Sequence, residues 1–288
     1  MRKMTLVLLL TLTLGFADAQ SLQKLERAFQ ELAADPQTKH ALLSLCVLDA
    51  GTGKMLFGKN ESIGVATAST LKTITSATAF SILGKDFLYQ TTLGYSGTLD
   101  VNGVLKGDLI IVGGGDPTLG SWRYPNMKEG VILSQWVEAI KNAGIKKVEG
   151  RIVGDDSIWD TQSTPDGWIW QDLGNYFGAG ASGLSWRENQ FDIHLRANAS
   201  DNSVNVLKTV PLMPYLNIVN ELSAGAQGTG DNVYAYLPPL GNIAYLRGTW
   251  GIGISKSGIS AALPDPAFDA AFRLQDTLKR IGISSTAG

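Results

Sequence analysis

Ser69-Thr70-Leu71-Lys72 sets a hydroxyl and an amine three residues apart, the spacing that puts two side chains on one face of a helix. A free serine hydroxyl is a weak nucleophile. A partly desolvated lysine beside it, with a lowered pKa, can take its proton, and a helix N-terminus favours the negative charge that develops. The same four residues also describe an ordinary helix start, with Ser69 capping and Lys72 carrying its amine out to solvent. On spacing alone, both readings stand.

The other reactive residue types narrow the chemistry. One cysteine, Cys46, excludes an internal disulfide and a cysteine-rich metal site. Two histidines, His40 and His194, leave little room for a histidine metal centre or a Ser-His-Asp triad, so serine chemistry here needs another base. Gly113-Gly114-Gly115-Asp116-Pro117 lacks the Gly-Lys-Ser/Thr of a phosphate-binding loop and reads as a tight turn. Asp155 and Asp156 are adjacent in an expected strand, which sends them to opposite faces and argues against paired acid/base work. One of them is left free to face a bound peptide, although a turn or surface role is the simpler reading. Trp168, Trp170 and Trp186 suit stacking on a sugar, but in a β-rich segment such residues are expected in a core.

These residues need elements to position them. The chain of 288 residues is 44% hydrophobic and 17% charged, enough to bury a core rather than remain disordered. A net charge of -2 and the absence of any run of five like charges leave no basic face for nucleic acid. Arg2 and Lys3, the apolar stretch Thr5 to Phe16 and Ala17-Asp18-Ala19 read as a secretory signal peptide over 1–19. No other segment is apolar enough to span a membrane, so the mature chain is expected to be exported, without a transmembrane span.

Leu22, Leu25, Phe29 and Leu32 predict an amphipathic helix ending near Asp35-Pro36. Two apolar β runs then flank the hairpin turn Asp49 to Lys54. From about Ser69 to Leu83 the pattern is a helix apolar on several sides, expected to be buried, with Lys72 its one charge. Residues 89–159 alternate short β runs with a helix over "LSQWVEAIKNAGI" and a strand over "KKVEGRIVGDDSIWD", an α+β pattern. Residues 165–250 read as mainly β. "PDPAFDAAFRLQDTLKRIGI" reads as a final helix with Phe268, Ala271, Phe272, Leu274 and Leu278 on or near one face and Gly282 as its stop.

The order of signal peptide, helix, hairpin and "TASTLK" opening a helix resembles the penicillin-binding proteins and serine β-lactamases, where Ser-x-x-Lys carries the nucleophile. "GDLIIVGGGDPTL", "VEGRIVGDDSIWD", "WIWQDLGNYFGAGASGLSWRENQFDIHL" and "LPDPAFDAAFRLQDTLKRIGI" narrow the resemblance. They are similar to the D-alanyl-D-alanine carboxypeptidase/endopeptidase family of low-molecular-mass penicillin-binding proteins.

The resemblance implies an α+β fold: a penicillin-binding-protein/serine β-lactamase-like catalytic domain, incomplete here, with inserted mixed and mainly β domains. It places the N-terminal part of the catalytic domain at 20–88, the inserted domains at 89–262 and the start of the return at 263–288. It implies Ser69 as nucleophile and Lys72 as general base, no cofactor or metal, peptidoglycan stem peptides as substrate and β-lactams as acylating inhibitors. A β-lactamase fits the quoted stretches poorly.

That family also uses a Ser-x-Asn motif and a Lys-Thr-Gly strand after the return, and this sequence ends before either is expected. A C-terminally truncated, catalytically incomplete chain or a peptidoglycan-binding remnant is therefore the alternative. Ser200-Asp201-Asn202, Lys208-Thr209 before Val210, and Lys256-Ser257-Gly258 match those motifs only in letters, and a turn or strand role is expected for each.

Overall fold

The computed structural model describes residues 20–286, so the expected signal peptide over 1–19 lies outside the described residues. Contacts divide the chain once, into a first unit ending at Asp86 and a second unit from Phe87.

In the first unit, helix α1 covers 20–34 and turns Leu22, Leu25 and Phe29 to its half-buried side. It stops where expected, and the Asp35 carboxylate accepts from the Gln37 amide to start a short 3-10 turn. Strands β1 (Leu45–Leu48) and β2 (Met55–Lys59) form the expected antiparallel hairpin. Its turn is tied by Asp49, whose Oδ1 accepts from the Thr52 amide at 2.7 Å and the Thr52 hydroxyl at 2.6 Å, while Gly53 takes the positive φ of 69°. Phe29 meets Phe57 edge-on at 6.0 Å, joining α1 to the hairpin.

Helix α2 (Leu71–Leu83) follows a 3-10 turn over Ala68–Thr70. The expectation that this helix is buried is not met. None of its residues is buried, and Ile82 is 76% and Phe80 64% exposed. The reason is local: no residue from 20 to 86 is buried, so this unit has no closed core of its own to receive a helix apolar on several sides.

The second unit has three sheets. Strands β3 (Thr92–Tyr95), β6 (Leu109–Val112) and β8 (Ile152–Asp155) make one, in the order β3-β6-β8. Strands β4 (Thr98–Leu99), β5 (Val104–Lys106) and β7 (Lys147–Val148) make another. The single strand expected over 146–160 is therefore two. The chain passes from one sheet to the other at Gly150, where a Cβ would stand 2.2 Å from the Gly107 carbonyl oxygen. Helix α3 (Glu129–Asn142) starts before the expected Leu133 and is stopped just past its end by Gly144, φ 82°, with the Ile145 amide bonded back to the Ile140 carbonyl.

The mainly β region is a six-stranded sheet, ordered β12-β13-β11-β10-β9-β14. Its strands are β9 (Gln190–Asn198), β10 (Ser203–Val210), β11 (Asn217–Gly225), β12 (Asp231–Tyr236), β13 (Ile243–Gly251) and β14 (Gly258–Ala262). All neighbours are antiparallel except β11 and β13, which run parallel over nine register pairs because β12 returns along the outer edge. Phe191, Ile193 and Leu195 of β9 alternate into the core. A short helix, α4, covers Trp170–Leu173.

Helix α5 (Pro266–Arg280) has Asp265 as N-cap and Pro266 at its first position. It packs against β8 and α3, and residues 263–286 lie in the second unit. The boundary expected at Leu263 thus coincides with no change of unit; the buried Ala267, Ala270, Leu274 and Leu278 face the elements of 129–155. Trp186 fills the core and stacks on Trp136 at 5.5 Å, whereas Trp168 and Trp170 remain 44% and 46% exposed on the segment before and within α4.

Candidate active site

The approach to α2 is an unusual piece of backbone. Ala68 has φ 44°, in the left-handed region that costs an alanine about 1–2 kcal/mol. The turn is held by Thr70, whose amide and hydroxyl both donate to the Thr67 carbonyl. This sharp entry brings Ser69 to the last turn before α2, and Lys72 Nζ donates to Ser69 Oγ at 2.9 Å. Neither position that could cap the 3-10 turn or α2 makes a side-chain cap bond. The two candidate residues are therefore together, and the alternative in which Ser69 caps while Lys72 points away is not the arrangement seen. The desolvation expected around Lys72 is not supplied by this unit, where Lys72 is exposed.

The remaining candidates are dispersed through the second unit. Ser200-Asp201-Asn202 is the β9–β10 turn, with Asp201 accepting from the Ser203 amide and hydroxyl and Asn202 at φ 59°. Lys208 and Thr209 lie in β10, and the Thr209 hydroxyl accepts from the Met213 amide. Lys256 pairs with Asp231 at 3.3 Å, and Gly258 opens β14. Gly113 and Gly114 serve close packing: a Cβ there would meet the Gly183 and Gln90 carbonyl oxygens at 2.2 and 2.0 Å. Asp116 closes the turn by accepting from Thr118. His40 is exposed in a turn and His194 half-buried in β9.

Asp155 is the last residue of β8 and Asp156 lies just past it, so the two have different surroundings. Hydrogen bonds from the Ser157 hydroxyl and amide hold the Asp155 carboxyl below its ordinary value. Asp156 instead lines a cavity of about 460 Å³ beside β8, together with Asp160 and Asp265. Burial pushes the Asp265 carboxyl up, and the nearby charge of Asp156 adds to the effect. Asp265 carried a readable signal as a helix cap before a proline, but nothing in its surroundings along the chain points to a cavity.

Residues 25–288 match the profile of the D-Ala-D-Ala carboxypeptidase 3 (S13) family. The chain belongs to that family. Among S13-like relatives, a D-alanyl-D-alanine carboxypeptidase of Actinomadura sp. (strain R39) is 24% identical over 281 residues, 94% of this chain and 49% of the relative. A D-alanyl-D-alanine carboxypeptidase DacB of Haemophilus influenzae is 28% identical over 227 residues, 78% of this chain and 45% of the relative. The chain thus spans about half the length of these relatives.

The crystal structure of penicillin binding protein 4 (dacB) from Haemophilus influenzae superposes with a TM-score of 0.67 at 24% identity, covering 83% of this chain and 51% of that one. The same protein complexed with a novel β-lactam gives 0.58 at 19% identity, over 84% and 50% of the two chains. The S13 chain accordingly has the α+β fold of the penicillin-binding proteins over the matched region. Among the described residues no helix is long and apolar enough to cross a membrane.

Proposed function

We propose that the chain is an exported, periplasmic serine-type D-Ala-D-Ala carboxypeptidase/endopeptidase that acts on peptidoglycan stem peptides through an acyl-enzyme on Ser69. The observation that carries this reading is the 2.9 Å contact between Lys72 Nζ and Ser69 Oγ at the start of a helix. In the ammonium form Lys72 donates. When Nζ is neutral the same contact reverses, and the Oγ proton moves to Nζ as Oγ attacks the carbonyl carbon of the D-Ala-D-Ala bond. The tetrahedral oxyanion develops near the helix N-terminus, whose backbone amides favour negative charge. Collapse breaks the C–N bond, the proton held by Lys72 passes to the leaving amine, and water later hydrolyses the Ser69 ester. A β-lactam undergoes the same attack, but its amine stays tethered, so the whole molecule remains bound to Ser69.

Intact mass after incubation with a penicillin tests this. The wild type is expected to gain the full mass of the β-lactam, Ser69→Ala to gain none, and Lys72→Ala to react about 10²–10⁴-fold more slowly. Equal labelling of wild type and Ser69→Ala would refute the assignment.

A second reading, that the chain alone is catalytically incomplete or a non-catalytic peptidoglycan-binding remnant, is favoured by the exposure of every residue of α2, Lys72 included. No adduct on a folded wild-type chain selects it.

A further inference from the structure

Trp168 and Trp170, whose side chains suit stacking on a sugar, stay at the surface, and Trp170 joins a row of aromatic rings. Along β12 and β13, Val233, Ala235, Ala244 and Leu246 are buried, so the strand period leaves Tyr236, Tyr245 and Arg247 on the opposite face of the six-stranded sheet. Tyr236 and Tyr245 are register partners across the two strands. Trp170 of α4 extends the row: its ring centroid lies 6.0 Å from that of Tyr236, with the planes 46° apart. Trp170 and Tyr245 are exposed and Tyr236 is half-buried, so the row borders water.

Arg247 is set into this row. Its Cζ is 5.1 Å from the Tyr236 ring centroid and 5.3 Å from that of Tyr245, and its Nε donates at 2.6 Å to Glu221 Oε2 on the neighbouring strand β11. Two rings and a carboxylate hold the guanidinium in place, so little further ordering is needed when it hydrogen-bonds a ligand. The side chains of the pair are 49% and 43% exposed, which leaves polar atoms of both open to a ligand. Their charges cancel, so the row carries no net charge with which to attract an ionic partner. A lipid surface needs cationic residues beside the aromatic ones, and the one cation of this row is paired. A neutral pyranose chain has the matching chemistry: its C–H faces lie on aromatic rings, while the hydroxyls at its edge both donate and accept.

We propose that this face, Trp170 with Tyr236, Tyr245, Arg247 and Glu221, binds the neutral glycan strand of peptidoglycan, with sugar rings on the aromatic side chains and hydroxyls on the ion pair. The choice of that glycan rests on the function proposed above; the stacking chemistry does not.

The test titrates the full ¹⁵N-labelled chain with tetra-N-acetylchitotetraose, a neutral N-acetylhexosamine chain, and reads the amides of Tyr236, Leu246 and Arg247. Saturable shifts in the millimolar range are expected. Trp170→Ala and Tyr245→Ser, both at exposed positions that leave the core intact, should each weaken binding about tenfold. Arg247→Lys keeps the charge, loses the planar fork and should also weaken it. Trp122→Ala removes an exposed tryptophan outside the row and should bind as wild type does. No saturable shift by about 20 mM tetraose, unchanged binding in Trp170→Ala and Tyr245→Ser, or an equal loss in Trp122→Ala would overturn the proposal. Tighter binding of cellotetraose would overturn the choice of glycan. An oligoproline peptide that moves the same amides at lower concentration assigns the face to a peptide, and shifts that follow protein concentration without sugar assign it to a second copy; either result overturns the proposal. Ser69 takes no part in this titration, so a failure here leaves the acyl-enzyme reading standing, and a missing penicillin adduct leaves the glycan face standing.

Discussion

At Gly154 the backbone of β8 lies close against the first turn of α5, and Gly154→Ala converts that contact into a measurable cost. A Cβ at this position would stand 2.2 Å from the Ala267 carbonyl oxygen and 2.7 Å from its carbon. Since real Cβ atoms essentially never approach below 3.0 Å, the strand and helix must part by about 0.8 Å. Neither partner yields easily. β8 is held in register by β6, and the first turn of α5 is fixed by the Asp265 cap and the buried Ala267 and Ala270. Overpacking of this kind costs about 1–3 kcal/mol, and disturbing the cap adds up to about 1. A net loss of about 2–3 kcal/mol lowers the melting temperature of a unit of this size by about 5–10 °C.

Tryptophan fluorescence is the suitable probe, because all seven tryptophans, Trp122 to Trp250, lie in the second unit. Gly130→Ala in α3 is the control: a Cβ there meets nothing within 4 Å, and alanine in a helix is favoured over glycine by about 0.5–1 kcal/mol. Gly154→Ala melting within 1 °C of wild type, or below Gly130→Ala by no more than that, would refute the reasoning.

Asp269 is 0% exposed and accepts from the Tyr215 hydroxyl at 2.5 Å and from Arg273 Nε at 2.9 Å. Asp269→Ala strands a buried guanidinium and should cost about 3–5 kcal/mol in urea unfolding, against about 1.5–3 for Tyr215→Phe, which removes one bond to a charged acceptor. The stability of wild type relative to Asp265→Asn should depend on pH. Burial raises the Asp265 carboxyl in the folded state above 3.8, so its contribution is full below 3.8 and is lost as pH rises through the raised value. The difference between wild type and variant must therefore fall with rising pH, and a flat or rising difference refutes the environment assigned to Asp265.

What the sequence determined by itself was what depends on near neighbours along the chain. The spacing of Ser69 and Lys72 put the two side chains on one face of a helix turn without help from the rest of the protein, while the choice between pairing and capping was left open by the spacing. The hairpin at Asp49–Lys54, the turn at Ser200-Asp201-Asn202 and the stop at Gly282 were legible for the same reason: each is closed by bonds or backbone angles within a few residues. Tertiary structure alone decided the burial of α2, since hydrophobicity states what a helix can bury and not whether a partner surface surrounds it. It alone brought Asp156 and Asp265 to one cavity from opposite sides of the six-stranded sheet in the chain order. It also seated α5 on β8, because that packing rests on a missing Cβ at Gly154 more than a hundred residues away in sequence. A local pattern fixes which side chains share a turn; only the closing of the whole chain fixes which distant surfaces exclude water from one another.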